Sequence, residues 1–134
     1  MVEADAGPEP SPLTVRVSGA TTLAVGESRA FAFERGGRPV EGFILRHASG
    51  YFAYANVCPH WYVDLDLGFG DFYDPGLDRI HCRNHGALFL PTTGECTAGP
   101  CVGQSLEQLA LVLEGTDAVV TIEPPVLISA TNLG

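Results

Sequence analysis

Basic residues are scarce in this chain of 134: seven Lys and Arg stand against sixteen Asp and Glu, giving a formal net charge of -9. Nucleic acids and anionic membrane surfaces are bound by Lys and Arg patches, so both are disfavoured as partners, and a basic protein surface is the natural complement. Long apolar runs are missing as well, and no stretch approaches the roughly eighteen residues that a membrane-crossing helix needs. Met1 to Pro12 has neither the basic segment nor the apolar segment of a secretory leader. A soluble, cytoplasmic protein is therefore expected. Nor is there an amphipathic helical period of useful length, which leaves strands to build the core. Cysteine and histidine occur four times each. Four cysteines could make two disulfides, but in a chain without an export signal metal binding is the better expectation.

What is present suits one domain: 46% of the residues are hydrophobic and 17% charged, enough apolar material for a single core. Residues 1–12, acidic and rich in proline, read as a disordered arm, and 126–134 as a tail. Between them, residues 13–125 break into short β-favouring runs. Leu13 to Val17 and Ser28 to Glu34 come first, the latter placing Ala30, Ala32 and Glu34 opposite Phe31 and Phe33. Arg35-Gly36-Gly37-Arg38-Pro39 then reads as a hairpin loop into Val40 to Arg46. After Ser49-Gly50, Tyr51 to Val57 leads to Cys58. Arg79 to His81 leads to Cys82, Ala87 to Leu90 leaves it, and Ala110 to Glu114 with Ala118 to Glu123 forms a terminal hairpin. The stretch between His60 and Cys82, with Asp64, Asp66, Asp71, Asp74 and Asp78, reads as a loop, either solvated or guiding a basic partner.

Chemistry is concentrated in Cys58-Pro59-His60 and Cys82-Arg83-Asn84-His85-Gly86, the two places where thiol and imidazole are paired at ligand spacing. Such a donor set suits zinc or an iron-sulfur centre of mixed ligation. Zinc ligands are usually two to four residues apart. A single residue between Cys58 and His60 is awkward around one ion.

These two loops, continued through Gly86-Ala87-Leu88-Phe89, Thr93-Gly94-Glu95 and Gly99-Pro100, resemble the Rieske family over roughly residues 50 to 125. The resemblance implies an all-β fold, an antiparallel sandwich or barrel with an inserted cluster-binding segment at about 58–101. It also implies a [2Fe-2S] cluster, with Cys58 and Cys82 on the inner iron and His60 and His85 on the outer one. In such a centre each loop straddles two irons, and close spacing becomes natural. Two ferric ions, two sulfides and two thiolates sum to zero charge beside neutral imidazoles, so an electron is accepted more readily than by an all-Cys cluster. Gly86 would let backbone approach the cluster, and Gly99-Pro100 resembles the proline loop that covers it in relatives. Cys96 and Cys101 are left over, either as buried thiols, which is the expectation kept, or as a disulfide or further ligands.

The function implied is that of an electron carrier, ferredoxin-like, between a reductase donor and a terminal oxidoreductase acceptor. An electron-transfer subunit of a multicomponent oxygenase and a redox- or iron-sensing module are the alternatives, with a zinc domain behind both. Catalysis on a substrate would need a mononuclear iron held by two histidines and a carboxylate. Once the cluster has taken two histidines, His47 and His81 are all that remain, and nothing in the sequence brings them together. Trp61 and Tyr62 follow a ligand directly and serve either docking or local packing. High-potential relatives carry a serine and a tyrosine in the second loop that donate hydrogen bonds to sulfur. Here Ala87 and Phe89 occupy those positions, and Val63 and Arg83 replace the loop cysteines that form a bridge in those relatives. The expected potential is therefore low, on the order of -150 mV.

Overall fold

In the computed structural model, which describes residues 13–59, 65, 72–83 and 86–122, ten antiparallel strands form two sheets. The larger contains β1 (Leu13–Val17), β2 (Ser28–Arg35), β3 (Arg38–His47), β4 (Gly50–Ala55), β9 (Gln108–Glu114) and β10 (Asp117–Ile122), in the order β1-β10-β9-β4-β3-β2. The smaller runs β5-β6-β7-β8, from Tyr73–Asp74, Arg79–His81, Leu88–Phe89 and Cys96–Ala98. The arm, the tail and most of the loop after His60 lie outside the described residues.

Every strand of the large sheet sends side chains to one common core: Val17, Phe33, Ile44, Ala53, Leu109, Ala118, Val120 and Ile122. Alternation supplies them. Ala30, Ala32 and Glu34 are exposed while Phe33 is buried, and β10 alternates residue by residue along its length. Six strands sharing one inner face curl into the nearly closed antiparallel sheet expected for this all-β fold.

Strand β3 breaks the alternation, since Gly42, Phe43, Ile44 and Leu45 are all buried. Its inner face belongs to the core just described. Its outer face, with Phe43, Leu45 and Tyr54, packs against a second cluster that includes Phe72, Ile80, Ala87, Phe89 and Leu106. The small sheet is thus a lid on the outside of β3 and β4. Phe43 stacks on Phe72 with ring centroids 4.0 Å apart. The buried Tyr54 hydroxyl donates to Pro91 O at 2.8 Å, tying the two sheets across their seam. Burial pushes that phenol's pKa well up, so it holds its proton and remains a donor.

The first hairpin turns more tightly than the five-residue break read from the sequence. Arg35 pairs with Arg38 directly, and Gly36 and Gly37 form the whole turn at φ 60 and 78, as a two-residue hairpin requires. Pro39 is accommodated inside β3 because β4 pairs only from Gly42 onward, so its missing N–H is not needed on that side. Strand β4 ends at Ala55 rather than Val57. The loop expected before Cys82 also contains structure: Tyr73–Asp74 and Arg79–His81 pair as a short hairpin. Arg79–His81 is the short run expected to lead into Cys82, whereas a two-residue strand such as Tyr73–Asp74 carries too little periodicity to read in advance.

Candidate metal centre

Where β4 stops, the chain is bent by two backbone bonds, Asn56 N to Glu41 O at 2.8 Å and Val57 N to Ala55 O at 2.9 Å. The bend carries Cys58 into the second apolar cluster, where it is 1% exposed. Asn56 is the one buried polar residue among those described. Its Nδ2 donates to Glu41 Oε1, and its Oδ1 accepts from Leu65 N, both at 2.8 Å. Leu65 is itself fully buried, and its carbonyl accepts Arg83 N at 2.8 Å. One residue of the long intervening stretch therefore joins both ligand loops through its backbone.

The second loop grows from β6. Cys82 N donates to Ala87 O, and Gly86 N to Cys82 O, each at 2.9 Å, closing a tight loop around the ligand positions. Gly86 lies at φ 74. A Cβ added there would meet nothing, so the left-handed backbone is what calls for glycine. Cys82 is 1% exposed and shares its cluster with Cys58. His60 and His85, the two imidazoles of the expected ligand set, lie outside the described residues, as do Trp61, Tyr62, Val63, Asp64, Asp66 and Asp71. The proline loop does lie on this second loop. A Cβ on Gly99 would be only 2.8 Å from Ala87 Cα, so glycine permits the close approach.

Cys58 and Cys82 are not joined in a disulfide. Two buried soft donors on two loops fixed to each other fit an iron-sulfur cluster held between them. Ala87 and Phe89 are fully buried beside Cys82 and offer no side-chain donor.

Cys96 and Cys101 are also free and buried, as expected. Cys101 Sγ donates to Cys96 Sγ at 2.9 Å, and Cys96 Sγ to Ala98 O at 3.2 Å. Burial first, then the contact with Cys96 and the nearby charges of Cys96 and Cys58, push the Cys101 thiol up to about 12.

Histidine 47, given no role in the sequence reading, bridges the two sheets. Its Nε2 lies 2.9 Å from Asp78 Oδ1, which also accepts the Tyr73 hydroxyl at 2.5 Å, while Ser49 N donates to its Nδ1 at 3.1 Å. Asp78 sits at φ 54, uncommon outside glycine, where these bonds hold it. Asp74 Oδ1 accepts Gly76 N and Leu77 N. Two of the five aspartates read as a solvated or docking patch are thus occupied in folding their own hairpin. His81 lies partly buried on β6.

A family model described as "Rieske [2Fe-2S] domain" matches residues 13–121. No curated protein matches the chain. Among solved structures, the ferredoxin of carbazole 1,9a-dioxygenase from Nocardioides aromaticivorans IC177 is 29% identical, with 87% of this chain and 100% of that one covered and a TM-score of 0.61. The Sphingomonas yanoikuyae B1 ferredoxin is 23% identical over 84% of this chain and 100% of its own, TM-score 0.59. A complex of reduced oxygenase and oxidised ferredoxin in carbazole 1,9a-dioxygenase gives 23% identity, 84% and 96% coverage and a TM-score of 0.63.

Proposed function

The chain belongs to the family of Rieske [2Fe-2S] domains, and on that premise we propose that Cys58 and Cys82 bind the inner iron of its cluster and His60 and His85 the outer one. The protein is an electron-transfer ferredoxin carrying a [2Fe-2S] cluster, which when bound accepts and releases one electron. The observation that carries the ligand assignment is the placement of two buried cysteines on loops tied together through Leu65. The segment of about 58–101 is the cluster-bearing part of a single domain spanning 13–125.

The chain's own residues have three tasks in this reading. Phe72, Ile80 and Phe89 exclude water from the inner side of the site, so charge there is not screened by solvent. Asn56 and the Leu65 backbone fix the spacing of the loops, which keeps the donors positioned in both oxidation states. Ala87 and Phe89 withhold side-chain hydrogen bonds from sulfur, which leaves the reduced state less stabilised and the potential low, on the order of -150 mV.

The similar ferredoxin bound to an oxygenase supports a terminal oxidoreductase of that kind as acceptor, supplied by a reductase. No substrate chemistry is assigned to the chain itself, because His47 is engaged with Asp78 and Ser49 while His81 lies on β6. Among the described residues no helix is long and apolar enough to cross a membrane, and we place the protein in the cytoplasm. Metal and sulfide analysis of the purified protein tests the ligand proposal: about two irons and two acid-labile sulfides per chain are expected, with a reduced-state paramagnetic signal of mixed His and Cys ligation. Stoichiometric zinc persisting after anaerobic reconstitution with iron and sulfide would refute it.

A further inference from the structure

The ligand set proposed above leaves two thiols over, Cys96 and Cys101. Cys96 opens β8, and Cys101 follows the Gly99-Pro100 turn, so the pair brackets the proline loop. The backbone already closes that bracket: Cys96 N donates to Gln104 O at 2.9 Å and Gln104 N to Cys101 O at 2.8 Å, with Val102 N reaching Gly99 O at 3.4 Å. The sulfurs lie 2.9 Å apart. Both residues are nearly inaccessible, at 3% and 1% exposure. Gly99, held between them at φ 98, is pressed onto the Ala87 backbone of the second ligand loop.

We propose that Cys96 and Cys101 form a redox-dependent disulfide that staples the proline loop closed against the second ligand loop. The oxidant is a small-molecule disulfide of the glutathione class. The Cys96 thiolate attacks one of its sulfurs, a mixed disulfide forms, and one thiol leaves. Cys101, deprotonated in turn, attacks the Cys96 sulfur, its own Sγ being the neighbour already in contact, and expels the second thiol. The two protein thiols lose two electrons and two protons, and the small disulfide becomes two thiols.

Burial decides the character of this pair. Exchange requires the proline loop to open, so oxidation is slow, and once the ring has closed reductants are excluded equally well. Only a short segment is closed, with the cysteines five positions apart. The constraint therefore acts on the loop and leaves the sheets alone. Its effect on cluster retention rests on the ligand assignment proposed above; the existence of the staple does not.

The cluster-loaded protein is equilibrated anaerobically, for days if needed, in glutathione buffers running from fully reduced to strongly oxidised. It is then denatured in acid, alkylated, digested and mapped by mass spectrometry. Loss of both alkylation sites in the peptide bearing Cys96 and Cys101, restored by strong reductant, is the expected result at the oxidising end. Full alkylation of both residues across the whole range would overturn the proposal, as would pairing of either one with Cys58 or Cys82. Such mispairing would also count against the ligand assignment, whereas full alkylation with iron and sulfide retained leaves that assignment standing. The wild-type chain suffices, and Cys101→Ser, in which Cys96 is recovered alkylated or as its mixed disulfide with the small thiol and never in an intramolecular bridge, supplies the control.

Discussion

Replacing Asn56 by alanine removes the one buried polar side chain among the described residues and should loosen the ligand loops while leaving both sheets folded. Two bonds are lost. The bond that Asn56 Nδ2 donates to Glu41 is worth little, because that carboxylate is exposed and water can replace its partner. The bond from Leu65 N is different, since Leu65 is 0% exposed and water cannot reach the abandoned N–H. An unsatisfied buried donor costs about 1–3 kcal/mol. Taking about 2 kcal/mol, local opening at Leu65 becomes roughly 30-fold more frequent. Because Leu65 O also accepts Arg83 N, the increase should appear in both ligand loops. Hydrogen exchange followed by mass spectrometry reads this as faster exchange at Leu65 and Arg83 with unchanged protection in β3 and β10. Asn56→Asp sharpens the test. It keeps the acceptor for Leu65 N but puts a carboxylate oxygen where Nδ2 met Glu41, so the protection factor at Leu65, corrected for the intrinsic pH dependence of exchange, should be low at neutral pH and recover on acidification. Unchanged protection at Leu65 in Asn56→Ala would refute the reasoning.

Voltammetry from pH 6 to 10 should give a low midpoint that stays flat through neutrality and falls only in alkaline solution; a value above about +100 mV would mean that other groups supply the donors that Ala87 and Phe89 lack. Cys82→Ser is expected to lose most of the iron, while His85→Cys retains a cluster with altered spectra, and equal retention in both variants would contradict the inner and outer assignment. Stability should fall at both pH extremes through one contact. The hydrogen bonds from Tyr73 and then His47 hold the Asp78 carboxyl below its usual range, so its contribution is full above about pH 4 and is lost as pH falls through the depressed value. Burial, then the bond to Asp78 and its charge, push the Tyr73 phenol up to about 12, so its contribution is full below about pH 10 and is lost between there and 12. Thermal melting against pH should show a shallower alkaline decline in Tyr73→Phe, and an identical decline would remove Tyr73 from the account.

Strands β2 and β10 were legible because they obey a period of two against a single core. Strand β3 shows where that legibility ends. Its run of four buried residues is intelligible only once the small sheet is known to cover its outer face. The cysteine positions stood out through spacing, yet the residues that fix their loops did not. Asn56 sits two places before Cys58 with no pattern to mark it, and Leu65 acts through its backbone, which sequence does not display. His47 and Asp78 meet across two sheets at a sequence distance of 31, which no local signal encodes.

Tyr54 and Gln108 are register partners on β4 and β9, so the chain leaves the large sheet and returns to it at the same place, 54 residues later. The pairing that joins the β2-β3-β4 meander to the β9-β10 hairpin is therefore a long-range step of folding, exceeded in sequence distance by the pairing of β1 with β10, and gathering that length costs about 3.5 kcal/mol of chain entropy. A cluster bridging Cys58 and Cys82 would remove nearly half of the open length, but the logarithm makes this worth only about 0.5 kcal/mol. Metal delivered to the unfolded chain should hasten closure by no more than about threefold. The nascent protein can thus complete its large sheet before it meets iron, and the order of assembly is set by supply of the metal rather than by the polypeptide.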